Sequence, residues 1–256
     1  MSAGTNNDKV SWTVREEIGI LSLNNTPENY FETPEFIPLD LLKNFIGTDQ
    51  LKGMVICGVG RHFSAGAKLD SLYELSADAD VLKTIMGRGQ DLLSYIENLD
   101  IPVIAAIRGI CFGGGLELAL ASHIRICSTN ALFAFPEISH GMMPGLGGTW
   151  RSLQLSRFPD VLKMILSGDI VNAEEALEMN LVDKITTADP IEEAFLLLKK
   201  MTIDKPLKVI HSVMQAMRNS KTLPPDEALK EETRLFCELA ADVAKRRNSG
   251  SAAGNE

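Results

Sequence analysis

The amino-acid sequence predicts an α/β protein built around a mostly parallel β-sheet. Two short apolar runs, Met54–Val59 and Ile101–Ile107, have the length and composition of strands that are buried on both faces. Between them, Val81–Leu99 has the apolar periodicity of a long amphipathic helix. A strand, a helix and a second strand of these lengths form a right-handed crossover between parallel strands. We therefore expect a parallel sheet covered by helices.

The other predicted elements follow in order along the chain. Val10–Val14 and Ile18–Leu23 alternate apolar and polar residues around a polar turn, which predicts a β-hairpin. Apolar residues at helical spacing predict helices over Leu41–Ile46 and Leu116–Leu120. Further strand candidates are Ile124–Cys127, Leu132–Phe135 and Val182–Ile185. The C-terminal third predicts helices over Asp160–Leu166, Ala173–Met179, Ile191–Lys200, Leu207–Met217 and Asp226–Arg247.

Composition and charge narrow the class of protein. The chain has 256 residues, 45% hydrophobic and 23% charged, which is ordinary globular composition for one large domain or a domain with an appendage. A net charge of -9 makes general binding to nucleic acid or to an acidic membrane unfavourable. Four cysteines without zinc or redox spacing indicate reduced thiols. The first nine residues are polar, and no apolar run is long enough to span a bilayer, so we expect a cytoplasmic protein without membrane contacts.

Two isolated carboxylates stand out in otherwise apolar surroundings. Glu117 is the only acid between Arg108 and Arg125, and Glu137 is the only acid between Arg125 and Arg151. Burial of a carboxylate is unfavourable unless the group is paired or neutral, so each needs a structural partner or a chemical task. A helix followed by strands could bring both acids to one cleft, where they would titrate as a pair. A purely structural role, such as a first-turn glutamate stabilising a helix dipole, is the alternative.

Two small-residue loops follow predicted strands. Gly113, Gly114 and Gly115 precede a predicted helix, and their backbone can approach a ligand closely and point N–H groups at an anion. The segment Ala65–Ala67 follows the earlier strand in the same way. Two such loops can supply converging donors to a developing oxyanion, each contributing roughly 3 kcal/mol to transition-state stabilisation. Glycines that serve only tight turns are the alternative.

Longer segments resemble the crotonase, or enoyl-CoA hydratase/isomerase, superfamily. The resemblance is carried by HFSAGAKLD at 62–70, IPVIAAIRGICFGGGLELALASHIRI at 101–126, FAFPEISHGMMPGLGGTWR at 133–151 and SGDIVNAEEALEMNLVDKI at 167–185. These motifs together are specific, whereas a single glycine run is not. The resemblance implies a crotonase-like ββα spiral core over residues 1–187 and a C-terminal helical trimerisation region over residues 188–256.

The resemblance also implies a reaction and a set of roles. The thioester oxygen would lie between the backbone N–H groups of Ala67 and Gly114, while Glu117 and Glu137 add one water across the double bond of a trans-2-enoyl-CoA. Glu137 would mainly transfer the proton at Cα, and Glu117 would mainly activate the water. The implied substrate-binding residues are Ala65, Gly66, Lys68, Leu69, Asp70 and Gly113. Coenzyme A would enter as part of the substrate with no separate cofactor, and the family commonly forms homotrimers or dimers of trimers.

Departures from the family pattern leave the substrate open. Lys68 stands where the family usually has Asp, and its ammonium could meet a CoA phosphate or be solvated. Trp150 replaces a glutamine, and the C-terminal LFCELAADVAKRR at 235–247 is shortened relative to the family. Isomerisation, decarboxylation or hydrolysis of an acyl-CoA, and a non-catalytic crotonase-like role, are the alternatives. The histidines His62, His123, His140 and His211 lack metal-ligand spacing, so no metal is expected.

Overall fold

A computed structural model describes residues 9–47 and 50–252 of the protein. The polar start of the chain before residue 9, on which part of the cytoplasmic expectation depends, lies outside these residues. The described strands are β1 Val10–Arg15, β2 Ile18–Leu23, β3 Gly53–Gly58, β4 Val103–Ile107, β5 Ile110–Phe112, β6 Ile124–Ser128, β7 Leu132–Ala134, β8 Val171–Asn172 and β9 Lys184–Thr186. The described helices are α1 Leu39–Gly47, α2 Leu69–Leu75, α3 Ala79–Glu97, α4 Gly114–Leu120, α5 Gly148–Leu155, α6 Phe158–Ser167, α7 Ala173–Glu178, α8 Pro190–Thr202, α9 Leu207–Thr222 and α10 Pro225–Ala252, with a 3-10 helix at Pro136–His140.

The strands form a large sheet and a small one. In the large sheet the order is β1-β2-β3-β4-β6-β9, and the small sheet has the order β5-β7-β8. The pair β1 and β2 is antiparallel, whereas β2, β3, β4, β6 and β9 all run parallel to one another. The predicted hairpin and the predicted mostly parallel sheet are therefore confirmed.

Helices cover both faces of the central strands, which explains their continuous apolar sequences. Every residue of β3 and β4 is buried. On one face, Phe195 and Leu198 of α8 pack against Val55, Ile104 and Ile126. On the other face, the alternate strand residues join a larger core together with apolar side chains of α3 and α4. A strand with no polar face is stable only between two such layers.

Several short elements lie where the sequence predicts none. They are β5, β8, α2, α5 and the 3-10 helix at 136–140. The two strands are three and two residues long, which is too short for a period-two pattern to be recognised. Helix α2 has seven residues, none of them buried, and is shorter than the stretch over which helical periodicity can be recognised in a sequence.

The C-terminal helices do not behave as one unit. Helix α8 packs against β3, β4 and β6, whereas α9 and α10 pack mainly on each other. Both of the latter helices expose large apolar side chains, including Met217, Leu229 and Phe236. The division into a core over 1–187 and a trimerisation region over 188–256 stays a prediction, although α8 falls in the second range and packs on the sheet. No helix among the described residues is long and apolar enough to cross a membrane.

Candidate active site

Two adjacent parallel strands of the small sheet deliver both isolated glutamates to one place. Strand β5 pairs in parallel with β7, so the chain leaves both strands at the same edge. Beyond β5 the chain turns at Gly113 and enters α4, which carries Glu117. Beyond β7 it enters the 3-10 helix, which carries Glu137. Strand pairing therefore brings together two acids that are separated along the chain.

Glu117 is held inside the protein by main-chain amides. All seven residues of α4 are buried, and Glu117 itself is only 2% exposed. Its Oε1 accepts hydrogen bonds from the N–H of Leu146 at 2.6 Å and of Gly148 at 2.7 Å. Burial raises the pKa of Glu117 to about 7, and the nearby charge of Glu137 adds to the increase, although the two amides and Arg151 oppose it. Near neutral pH both the ionised and the protonated forms of this carboxyl are therefore populated, so it can accept or donate a proton.

Glu137 is less buried but also less well paired. Within the described part of the chain, its Oε2 is shielded from solvent and has no hydrogen-bond partner. Burial raises the pKa of Glu137, so the protonated form becomes easier to populate. The carboxylate lies against Gly113, where an added Cβ would come within 2.7 Å of its Oε1. With a φ of +49°, Gly113 also has a backbone conformation that other residues avoid. A glycine is therefore required beside this acid.

The loop after β3 lies directly against the start of α4. A Cβ on Gly66 would approach the Gly114 nitrogen to 3.0 Å, so these two main-chain segments are in contact. The loop is fixed by parallel bridges that pair Phe31 with Ala67 and Ser64 with Cys111. Among the described residues, neither the Ala67 N–H nor the Gly114 N–H donates to an acceptor. Two neighbouring amides thus remain available as donors.

These amides and both carboxylates line the same cavity. Ala67, Gly114, Glu117 and Glu137 border a space of about 340 Å³. The rest of its lining is almost entirely apolar: Phe31, Pro34, Leu72, Leu82, Met86, Met142, Met143, Gly145 and Leu146, with Ser76 as a further polar residue. Such an arrangement of a few polar groups in an apolar pocket is typical of a ligand site.

The other predicted binding residues neighbour Ala67 or Gly114 in the chain. Gly66 and Gly113 directly precede Ala67 and Gly114 in the chain, and the Ala65 N–H donates to the main-chain carbonyl of Glu28. Lys68 and Asp70 are exposed around the start of α2, and Leu69 is half-buried. None of these residues is among those that line the cavity. Their predicted contacts with a substrate stay predictions.

A second cavity has different chemistry. It has a volume of about 260 Å³ and lies between β1 and the segment that precedes α1, with Lys9, Asn29 and Glu32 in its lining. Neither Glu117 nor Glu137 borders it. In the described ranges 9–47 and 50–252, no group of three or more His, Cys, Asp or Glu side chains could hold a metal ion. We therefore take the larger cavity with the paired carboxylates as the candidate active site.

Comparison with known proteins agrees with this geometry. A family model described as enoyl-CoA hydratase/isomerase matches residues 25–253. The chain belongs to the enoyl-CoA hydratase/isomerase family. A probable enoyl-CoA hydratase from Bacillus subtilis (strain 168) is 33% identical over 232 residues, covering 90% of this chain and 89% of that protein. The 2,3-dehydroadipyl-CoA hydratase of Escherichia coli (strain K12) is 35% identical over 188 residues, covering 73% and 72% of the two proteins.

A solved structure supports the same assignment. The crystal structure of enoyl-CoA hydratase from Thermoplasma volcanium GSS1 matches with a TM-score of 0.80 at 27% identity, covering 92% of this chain and 94% of that one. The predicted crotonase superfamily membership and the predicted crotonase-like α/β fold are therefore confirmed.

Several residues around the candidate active site have no role in the sequence prediction. Leu146 and Gly148 hold Glu117 through main-chain N–H groups, which leave no mark on the amino-acid pattern. The glycines of the PGLGG segment at 144–148 were the available signal. Trp150, the replacement for the family glutamine, is more than half exposed. Ser64 carries a loop hydroxyl, which donates to the main-chain carbonyl of Asn29 and accepts from the Gly66 N–H.

Proposed function

We propose that this protein catalyses the reversible hydration of a trans-2-enoyl-CoA to a 3-hydroxyacyl-CoA. The observation that carries the proposal is that Glu117 and Glu137 line one cavity together with the amides of Ala67 and Gly114, which have no acceptor among the described residues. An isolated glutamate beside the amides would suit other thioester reactions of the family equally well. A pair of carboxylates with raised pKa values supports the use of one water and two proton transfers.

In the proposed reaction, the thioester oxygen accepts hydrogen bonds from the Ala67 and Gly114 amides. Ionised Glu117 takes a proton from the water while the water oxygen forms its bond to C3. The electrons of the C2–C3 double bond move toward the thioester oxygen, where the two amides stabilise the negative charge. Protonated Glu137 then delivers its proton to C2. The pair ends with its proton on Glu117, and return of that proton to Glu137 through the next water resets the site.

The lining of the cavity supports an uncharged acyl chain. Among the described residues that line it there is no lysine, arginine or histidine, and the lining side chains apart from the two glutamates are apolar or a single serine. A second carboxylate on the substrate would be desolvated there without a cation. We therefore propose that an acyl group such as the dehydroadipyl group in the name of the Escherichia coli relative is disfavoured.

The remaining parts of the proposal concern the carrier and the assembly. Lys68 is exposed next to the proposed oxyanion donor Ala67, so its ammonium is proposed to contact a CoA phosphate. The reaction needs no cofactor because both proton transfers use carboxyl groups. Exposed apolar side chains on α9 and α10, such as Met217 and Phe236, support a homotrimer or a dimer of trimers. A cytoplasmic location is part of the same proposal.

The test is incubation with crotonyl-CoA, octenoyl-CoA and dehydroadipyl-CoA while the absorbance of the conjugated thioester is followed. We expect turnover of the two substrates with uncharged acyl chains. In both Glu117→Gln and Glu137→Gln, kcat should fall by a factor of about 10²–10⁴. CoA binding measured by calorimetry serves as the control for folding of the variants. CoA binding without hydration of any substrate would favour another thioester reaction. Absence of both would favour a non-catalytic role.

A further inference from the structure

A buried arginine, Arg151, bonds to the segment that holds Glu117 and is not among the residues that line the cavity. The Arg151 side chain is 6% exposed, although it carries a full charge. Its Nε donates to Glu97 Oε2 at 3.0 Å, and its Nη1 donates to the carbonyl of Leu146 at 2.6 Å. Leu146 is one of the two residues whose N–H groups hold the Glu117 carboxylate. Arg151 therefore contacts the segment that fixes Glu117.

The guanidinium also contacts the middle of this segment. Between the two amides that bind Glu117 stands Gly147, which has a φ of +99°. A Cβ on Gly147 would lie 2.4 Å from Arg151 Nη1, so the glycine leaves room for the arginine. The rigid fork of a guanidinium can bond a carboxylate and a carbonyl at once, whereas a lysine ammonium is a point charge on a flexible stem.

Helix α3 completes the support. Glu97 is the last residue of α3, and Gln90 of the same helix donates to the carbonyl of Gly145 at 2.8 Å. The segment 145–148 is thus attached to α3 by two bonds, one direct and one through Arg151. Neither Arg151 nor Glu97 is among the residues that line the cavity, so neither contacts a substrate there.

We propose that Arg151, paired with Glu97, is a positioning residue that aligns the Leu146 and Gly148 amides on Glu117 and so sets the protonation of that carboxyl. The inference rests on the proposed function for its effect on catalysis, but the contacts on which it depends are independent of the reaction. The charged groups that face Glu117 are Glu137, from the 3-10 helix, and Arg151, from α5, with Glu97 of α3 partly neutralising the arginine. The Arg151 charge favours ionised Glu117, and Glu137 disfavours it.

The experiment separates the charge from the fork geometry. Arg151→Lys keeps the charge and loses the fork, whereas the double variant Arg151→Met with Glu97→Gln removes the charge without leaving the partly buried Glu97 carboxylate unpaired. The matched control is Arg125→Met with Asp183→Asn, because Arg125 is also a buried arginine that bonds a carboxylate and a backbone carbonyl. Arg125 is not among the groups that act on Glu117. Near-UV circular dichroism verifies that each variant is folded.

Two readouts are measured. The first is the titration midpoint of the Glu117 carboxyl, followed by infrared difference spectroscopy and assigned by its loss in Glu117→Gln. We expect a rise of at least about half a pH unit in the charge-free double variant and a smaller change in Arg151→Lys. The second is the kinetics, where kcat should fall at least about tenfold in both Arg151 variants while KM changes much less. The control should change neither readout.

The outcomes are distinguishable from those of the proposed function. A midpoint in the folded double variant that equals wild type, or that moves no further than in the Arg125 control, would overturn the inference. If the wild-type protein shows no hydration, the proposed function fails, and the infrared midpoint still decides whether Arg151 acts on Glu117. Loss of kcat with an unchanged midpoint in both Arg151 variants would reduce Arg151 to a packing role and also contradict the inference.

Discussion

Replacement of Glu117 by Gln should stabilise the protein above neutral pH while abolishing most of its activity. The glutamine carbonyl can accept the same two amide hydrogen bonds, but it never ionises. Because burial raises the pKa of Glu117 from 4.5 to about 7, ionisation of the wild-type group opposes folding. The stability that its neutral form provides is complete below pH 4.5 and is lost as the pH rises to about 7. The variant lacks this loss.

The size of the effect follows from the same values. A difference of roughly 2.5 pKa units corresponds to about 3 kcal/mol of unfolding free energy when the loss is complete. Between pH of about 5.5 and about 8.5, the advantage of the variant should therefore grow by about 2 kcal/mol. Urea unfolding followed by circular dichroism, at one fixed protein concentration, measures this growth. Glu74→Gln, at an exposed position of α2, is the control and should show no such growth.

A constant free-energy difference between Glu117→Gln and wild type across this pH range would refute the reasoning. It would mean that the surroundings of the buried carboxyl do not raise its pKa to near 7. The assignment of Glu117 as the water-activating base would then lose its electrostatic support. If the free-energy difference grows with pH and the variant has lost hydration activity, the same ionisable carboxyl both destabilises the folded protein and is needed for catalysis.

Three further predictions concern activity. The value of kcat/KM for hydration should fall on the acidic side with a midpoint near the Glu117 pKa of about 7, and a flat profile from pH of about 6 to about 8 would contradict a base at this position. Gly113→Ala should displace Glu137 and lower kcat by at least about tenfold, with CoA binding retained by calorimetry; unchanged kcat would mean that the acid has room to move. Met86→Ala should enlarge the cavity beside Gly145 and raise the ratio of kcat/KM for decenoyl-CoA over crotonyl-CoA, whereas an unchanged ratio would remove Met86 from chain selection.

The sequence predicts the central part of the fold well because burial leaves a continuous apolar record. Strands β3 and β4 are apolar throughout since both faces are covered, and the helix between them has a clear apolar stripe. The three-residue strand β5 leaves no such record, although its pairing with β7 is what brings Glu117 to Glu137. The two acids are visible in the sequence as isolated charges, but their common cavity depends on this short parallel pair.

The supporting contacts are harder to predict for a different reason. The amides of Leu146 and Gly148 are main-chain groups, which any residue except proline would supply. No pattern of side chains in the sequence therefore predicts them. Arg151 belongs to a recognisable motif, but its carboxylate partner Glu97 lies 54 positions earlier on another helix. Contacts between distant segments of this kind require the tertiary structure.

The position of the Ala67 and Gly114 amides on the main chain has a consequence for how the site tolerates mutation. Their donors belong to the polypeptide backbone, so a substitution at either position alters the space around the N–H group and leaves the group itself in place. Only proline deletes a donor outright. Gly66 and Gly113, which carry no donor of the pair, are by contrast the positions where an added methyl group would collide with the backbone or with an acid. Substitutions other than proline at residues 67 and 114 should therefore keep both hydrogen-bond donors. Substitutions at Gly66 and Gly113 should be the more damaging ones, because an added side chain there has no space.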